Sequence, residues 1–284
     1  MQGSTIAVTG ATGVVGGLVA AALASAGLPQ RLLVRTPAKA PTLPDVEVRQ
    51  ASYGDNEASV GALGGVDVLF MVSAAENADR LAQHVAFVDA AAEAGVGHVV
   101  YTSFFGAGPD ATFTLARDHF HTEERIKGSG MGWTFLRDNL YLDYVPFFAG
   151  EEGVLRGPAG DGRLAAVSQA DVAASAVAVV RDVAEGGRAH VGQTYPLTGP
   201  TSFSLAEAAD LITRVTGRSV RYVDETLDEA YASRSSYGAP DWQVDAWVST
   251  YTAIAAGELD GVTDHVERLT GRTPKSLERL LTEG

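Results

Sequence analysis

The stretch Ile6-Ala7-Val8-Thr9-Gly10-Ala11-Thr12-Gly13-Val14-Val15-Gly16 decides how the rest of the chain is read. Four apolar or β-branched residues make a short buried strand, three evenly spaced glycines follow, and an alanine-rich run begins at once. A strand, a tight turn and a helix N-terminus in that order form a dinucleotide-binding unit. Gly10 permits the turn, Gly13 lets a pyrophosphate approach backbone N–H groups, and Gly16 lets the helix lie close to the strand. Ala11, Thr12, Val14 and Val15 fill the rest of the loop and the first helical turn, so they border the same ligand.

Outward from this motif, β-branched runs alternate with longer alanine-rich segments, the pattern of a parallel sheet covered by helices. Strands are expected near Ile6–Thr9, Arg31–Val34, Val46–Gln50, Val68–Val72, His98–Thr102 and Trp133–Arg137, with helices near Val14–Ala26, Asn56–Leu63, Asp79–Ala94 and His119–Gly130. Val68-Leu69-Phe70-Met71-Val72 is apolar throughout, as suits a strand buried on both faces. Beyond Arg137 the regularity weakens. Gly and Pro cluster over Gly150–Gly162, and helices near Val172–Ala184, Leu205–Thr216, Asp241–Ala256 and Pro274–Leu281 accompany one strand near Gln193–Leu197. The expected fold class is α/β: a Rossmann-type doubly wound parallel sheet with a smaller C-terminal α/β substrate-capping region. The NAD(P)-binding part spans 1–140, and the capping region, 141–284, is interleaved with the sheet rather than independent.

Composition narrows the partners. Of 284 residues, 46% are hydrophobic and 20% charged, which is ordinary for a folded globular chain. A net charge of −14 with only three lysines, Lys39, Lys127 and Lys275, opposes both a phosphate backbone and an anionic membrane surface. Neither nucleic acid nor membrane is an expected partner. The first strand starts at Ile6, leaving no room for a charged region and an apolar leader, and no apolar run reaches ~18 residues, so the cytoplasm is expected. The absence of cysteine removes disulfides, thiolate nucleophiles and cysteine metal sites. His119 and His121 would point away from each other on a helix, so no metal site is expected.

The end of the second strand bears on which dinucleotide fits. An acidic residue about 20 positions past the glycines suits a free ribose diol, whereas a basic one suits a 2′-phosphate. Arg35 stands 19 residues after Gly16, in Leu33-Val34-Arg35-Thr36-Pro37, with Lys39 nearby. This favours NADP. Asp55, after the third strand, either accepts from the adenine amino group or caps a helix. Ser73, just past the fourth strand, completes the cofactor-binding set.

Taken in order, Gly10-Ala11-Thr12-Gly13, Arg35-Thr36-Pro37-Ala38-Lys39, Tyr53-Gly54-Asp55, Tyr101-Thr102-Ser103, the helix from Asp118-His119 to Thr122-Glu123, Leu136-Arg137 and Gly160-Asp161-Gly162 resemble the NmrA-like atypical short-chain dehydrogenases. The resemblance runs from the first strand to about Ala178 and is strongest to the NADPH-dependent quinone reductase branch, with triphenylmethane reductase a similar neighbour. It implies NADPH at the Rossmann edge and an acceptor under the C-terminal cap.

Ordinary short-chain dehydrogenases carry a tyrosine followed four residues later by a lysine that lowers its pKa, so that it passes a proton to a developing alkoxide. None of the nine tyrosines here is followed in that way. Such a chain suits an acceptor whose reduced form is already a delocalised anion, because less charge then calls for a proton donor. His119, where some members of the family carry a catalytic lysine, either assists the acceptor or cofactor or bonds to a helix neighbour. Ser103 either lies beside the nicotinamide ring or caps a turn. These two are the catalytic candidates. Phe104, Phe105, Tyr141 and Tyr144, with Phe147 and Phe148, form two aromatic groups that either make a flat slot for a planar acceptor or belong to the core. The leading expectation is an NADPH-dependent oxidoreductase that transfers hydride to a quinone or similar planar conjugated acceptor. The alternative is a non-catalytic, NADP-sensing regulatory protein that binds a protein partner. The missing tyrosine–lysine pair fits both, and a homodimer is compatible with either.

Overall fold

Strands whose side chains are apolar on both faces must be covered on both sides, and that condition builds the central sheet. The computed structural model describes residues 4–283. In chain order the first elements are β1 (Ile6–Thr9), α1 (Val14–Ser25), β2 (Gln30–Val34), β3 (Val46–Gln50), α2 (Asn56–Leu63), β4 (Val68–Met71), α3 (Arg80–Glu93), β5 (His98–Phe104), α4 (Thr114–Gly128) and β6 (Gly132–Asp138). Then follow β7 (Val154–Gly157), β8 (Arg163–Leu164), α5 (Gln169–Ala184), β9 (Gln193–Leu197), β10 (Phe203–Ser204), α6 (Leu205–Thr216), β11 (Arg221–Asp224), α7 (Leu227–Arg234), α8 (Asp241–Ala255), α9 (His265–Thr270) and α10 (Leu277–Glu283).

The main sheet has the order β3-β2-β1-β4-β5-β6-β9. Pairing is parallel from β3 through β5, with Val8 opposite Leu32 on one side and Phe70 on the other. The first six strands thus follow the doubly wound order 3-2-1-4-5-6, in which ligands collect at the carboxyl ends where the strand order reverses, next to β1. β1, β4 and β5 are buried along their whole length. β3 is largely exposed, and it carries charge where an edge strand needs protection from further pairing, with Glu47 bonded to Arg31 and Arg49.

The chain divides into two compact units. One unit runs to Ser103 and adds His119–Arg137 and Val172–Tyr195; the other combines Phe104–Asp118, Asp138–Asp171 and everything from Pro196 onward. The chain passes between them five times, so the expected boundary near residue 140 lies close to only one of the passages. The sheet unit has its core around Leu63, Phe70, Phe87, Tyr101 and Phe135. The second unit packs Phe104, Phe113, Leu142, Leu155, Ile212 and Ile254 together. It also holds two small pairings not foreseen in the sequence, β11 with β7 in parallel and β10 with β8 antiparallel. α4 begins at Thr114 rather than His119, because Phe113 and Ala116 anchor its first turn in this second core.

Candidate active site

At the carboxyl ends of β1, β2 and β4 lies a cleft of about 230 Å³ lined by Gly10, Thr12, Arg35, Tyr53, Ser73 and Ala74, among others. Four of the expected cofactor residues, Gly10, Thr12, Arg35 and Ser73, meet there. Gly10 has φ +65°, in the left-handed region that glycine adopts without strain. A Cβ at Gly16 would stand 2.4 Å from the Gly10 carbonyl, so the close helix approach demands glycine. Gly13 is different. Its φ is −100° and its nearest atom to a Cβ would be Gly10 O at 3.4 Å, so nothing inside the protein requires a bare backbone. No side chain caps α1, which leaves its first N–H groups for an anion. Ala11 and Val15 are buried beneath the loop and Val14 is exposed, so Ala11 and Val15 can border a ligand only through their backbones.

Arg35 is exposed at the cleft, and among the described residues none of the lining side chains is a carboxylate. A 2′-phosphate fits that environment, and a ribose diol seeking an acidic partner does not. Lys39 sits in an exposed single turn over Pro37–Lys39 and does not line the cleft. Asp55 accepts from the backbone N–H of Ala58 at 3.1 Å as the N-cap of α2, and it too lies outside the lining. Between its two readings, the helix cap is the one realised. Asn77 and Gln83, both in the cleft wall and joined at 3.2 Å, were not foreseen, because polar residues around a helix start read as loop and cap chemistry.

The wall after β4 is held almost entirely by side chains. Val72 N–H donates to Thr9 Oγ1 at 2.8 Å, Ser73 N–H to Thr102 Oγ1 at 2.9 Å, and Ala74 N–H to His84 Nε2 at 2.8 Å. Tyr53 donates its only hydroxyl proton to Val72 O, so the Thr9 hydroxyl donates to Tyr53. A ring of contacts then closes on the Ala74 peptide. With Nε2 occupied as acceptor, neutral His84 donates from Nδ1 to Thr122 Oγ1 at 2.9 Å, and Thr122 is in turn a partner of the Tyr101 hydroxyl. Tyr101 contacts His119 Nδ1 at 3.0 Å, Arg80 donates to His119 Nε2 at 2.9 Å, and Arg80 Nε donates back to Ala74 O at 3.0 Å.

This ring corrects the assignment of His119 as a catalyst. A guanidinium can only donate, so His119 Nε2 is an acceptor and the ring proton sits on Nδ1, directed at Tyr101. Burial first, and the Arg80 charge second, push its pKa well below 6.5. His84 is likewise pushed down to about 3 by burial and then by Arg80. His119 is therefore a neutral link in the wall and lines neither the cleft nor the cavity described below. Ser103 is corrected for a similar reason. It is buried and donates its hydroxyl to Glu123 Oε1 at 2.5 Å, while Arg137 holds Glu123 bidentately at 2.8 and 2.6 Å. A hydroxyl committed to a buried carboxylate is not available to a nicotinamide ring.

The second unit contains a cavity of about 460 Å³. Its walls include Phe147, Phe148, Tyr237, Trp247, Tyr251 and Ile254. Of the six aromatics expected to form an acceptor slot, Phe147 and Phe148 line it, whereas Phe104, Phe105, Tyr141 and Tyr144 do not. Phe104 is buried with its ring 4.9 Å from that of Phe113, and Phe105 packs on the same core. Tyr141 donates to Asp138 Oδ2 at 3.1 Å, and Tyr144 is partly exposed beside it, their ring centroids 6.0 Å apart. Phe104 closes β5 rather than lying on a loop, and the sequence could not tell which way each ring turns. α8 was expected as a helix but not as a wall of this cavity, and α7 was not foreseen.

Asp138 was also missed. It is buried, its Oδ1 has no hydrogen-bond partner, and burial pushes its pKa well above the ordinary carboxylate value. An acidic residue ending an apolar strand, in Phe135-Leu136-Arg137-Asp138, was the available signal.

A sheet of this order, with a glycine turn and a basic group at one cleft, defines a Rossmann-type dinucleotide-binding protein. The chain belongs to the NmrA-like family, whose pattern it matches over residues 2–234. It is 34% identical over 276 residues to an NAD(P)H azoreductase of Xenophilus azovorans, covering 95% of this chain and 94% of that protein. An NADPH-dependent quinone oxidoreductase from Escherichia coli, solved with NADPH, superposes with a TM-score of 0.88 at 33% identity, covering 98% of this chain and 99% of that one. The triphenylmethane reductase of a Citrobacter species, solved with NADP(H), gives 0.84 at 30% identity, over 98% and 99% of the two chains.

Proposed function

We propose that this protein is an NADPH-dependent reductase that passes a hydride to a quinone or similar planar conjugated acceptor. The observation that carries the cofactor half is Arg35 at a glycine-turned cleft with no lining carboxylate. The structure fits NADPH in one further respect: Gly13 lacks a side chain where only a ligand would need that space. When bound, NADPH supplies a hydride from its nicotinamide, and with one proton from solvent the quinone leaves as hydroquinone.

The protein's own residues do three things in this scheme. Gly10, Thr12 and the first N–H groups of α1 receive the pyrophosphate, and Arg35 receives the 2′-phosphate. The Ala74 ring holds the cleft wall in one position, so that little reorganisation is needed when the cofactor enters. The aromatic cavity of the second unit takes up the flat acceptor against its apolar walls. The relatives support the same reading, being reductases of azo compounds, quinones and triphenylmethane dyes.

The test follows NADPH absorbance while quinones, azo dyes, triphenylmethane dyes and simple ketones are added in turn. Oxidation with the conjugated acceptors and not with ketones is expected. Tight NADPH binding without oxidation by any of them would make the protein an NADP sensor instead.

A further inference from the structure

We propose that the cavity of the second unit selects planar acceptors bearing an anionic substituent, and that Arg156 holds the anion. The inference rests on the reductase reading above and concerns which acceptors that reductase prefers. The chain carries 35 acidic residues and a net charge of −14, yet among the described residues no carboxylate lines this cavity, whereas two guanidiniums, those of Arg156 and Arg234, do. The charged side chains that line the cavity are thus of the opposite sign to the protein's net charge.

The two arginines have different tasks. Arg234 is buried and held by the protein: it donates to Glu225 Oε2 at 2.9 Å, Ala230 O at 2.9 Å, Ser233 Oγ at 3.0 Å and Arg156 O at 3.1 Å, and it lies 5.1 Å from the centre of the Tyr251 ring. With its charge matched by Glu225 and its Nη1 donors taken up by the protein, Arg234 shapes the wall. Arg156 is half-exposed, and its partner Glu152 is 3.4 Å away and 81% exposed. A surface pair of that kind is weak and readily exchanged for a better-placed anion. A sulfonate or carboxylate can take both of its forked donors.

The aromatic walls supply the other half of the specificity. Phe147 is 77% exposed and Tyr237 72% exposed, although both line the cavity. Large apolar side chains left in solvent around a concavity mark a surface that waits for a ligand. Tyr237 stands edge-on to Trp247, with centroids 5.9 Å apart, giving an aromatic corner against which a fused ring can lie. A flat ring with an acidic group on its rim satisfies both features at once.

The experiment compares naphthoquinone with naphthoquinone sulfonate in steady-state assays of the full chain with NADPH. In Arg156→Ala the ratio of the sulfonate KM to the neutral KM is expected to rise about tenfold, and Arg156→Lys should restore part of it. Glu152→Gln, which removes the competing carboxylate, should lower the same ratio about twofold. A ratio unchanged in all three variants would overturn the assignment. If wild-type protein reduces neither compound, the reductase reading falls while the binding claim can still be judged. Quenching of the protein's tryptophan fluorescence by naphthalene sulfonate must then weaken about tenfold in Arg156→Ala. Equal quenching in the two proteins would refute it.

Discussion

Arg80 and His119, 39 residues apart in the chain, meet at 2.9 Å, and because the guanidinium has only protons to give, the contact fixes the imidazole as an acceptor at Nε2. Replacing His119 with Ala would take the imidazole acceptor from Arg80 and one of the two partners of the Tyr101 hydroxyl in the interior. Loss of about 2–4 kcal/mol in unfolding free energy is expected, measured by denaturant titration. The shape of the kcat–pH profile should be unaltered. Disappearance of an ionisation from that profile in a folded variant would restore His119 as a proton donor.

The glycines of the nucleotide turn should separate into structural and ligand-facing classes. Gly16→Ala forces a methyl to within 2.4 Å of backbone and should destabilise the fold by about 2 kcal/mol or more. Gly13→Ala should fold with nearly wild-type stability, since its methyl meets only an ordinary contact, yet raise the NADPH dissociation constant more than about tenfold. Cofactor fluorescence and thermal unfolding measured on both variants would decide this, and equal behaviour of the two would contradict it.

Buried neutral histidines make the protein acid-sensitive. In the unfolded chain His84 and His119 take up protons near 6.5, whereas in the folded protein His84 resists until about 3 and His119 also stays neutral far below 6.5. The unfolded state therefore binds more protons as pH falls. Stability should be full above about pH 6.5 and decline below it by up to about 1.4 kcal/mol per pH unit for each histidine. Urea midpoints that stay constant from pH 7 down to about pH 5 would show that these imidazoles are solvated.

Asp138 acts with the opposite sign. Its folded pKa is raised, so its contribution to stability is complete below the unfolded value near 4 and is lost as pH climbs toward the folded one. Asp138→Asn, an isostere of the neutral acid, should remove that decline and leave the protein at least as stable as wild type at pH 8. A variant markedly less stable at that pH would mean that the carboxylate is needed in charged form.

How much of this was readable in the sequence depended on whether the signal was local. β1, β4 and β5 announced themselves because burial on both faces demands unbroken apolar runs, and the Gly10–Gly16 turn and Arg35 lie within a short span of chain. The Ala74 ring was invisible, because Arg80, His84, Tyr101 and His119 reach one another only through the packing of α3, β5 and α4. The cavity of the second unit was hidden for another reason: α7, Leu227–Arg234, is polar enough to read as loop, and β8 and β10 have two residues each. Phe104, at the end of β5, and Tyr141, on a loop, show the limit of counting aromatics, since a ring at such a place reads the same whether it turns into the core or toward a ligand.

The central claim, that NADPH is recognised through Arg35 and then turned over, is tested most directly by comparing kcat/KM for NADPH and NADH during quinone reduction, in wild type and in Arg35→Ala. Wild type should prefer NADPH by about 10- to 100-fold, the worth of a charge-assisted phosphate contact, and the variant should lose nearly all of that preference. A preference that survives the substitution, or the absence of oxidation with either nucleotide, would contradict it.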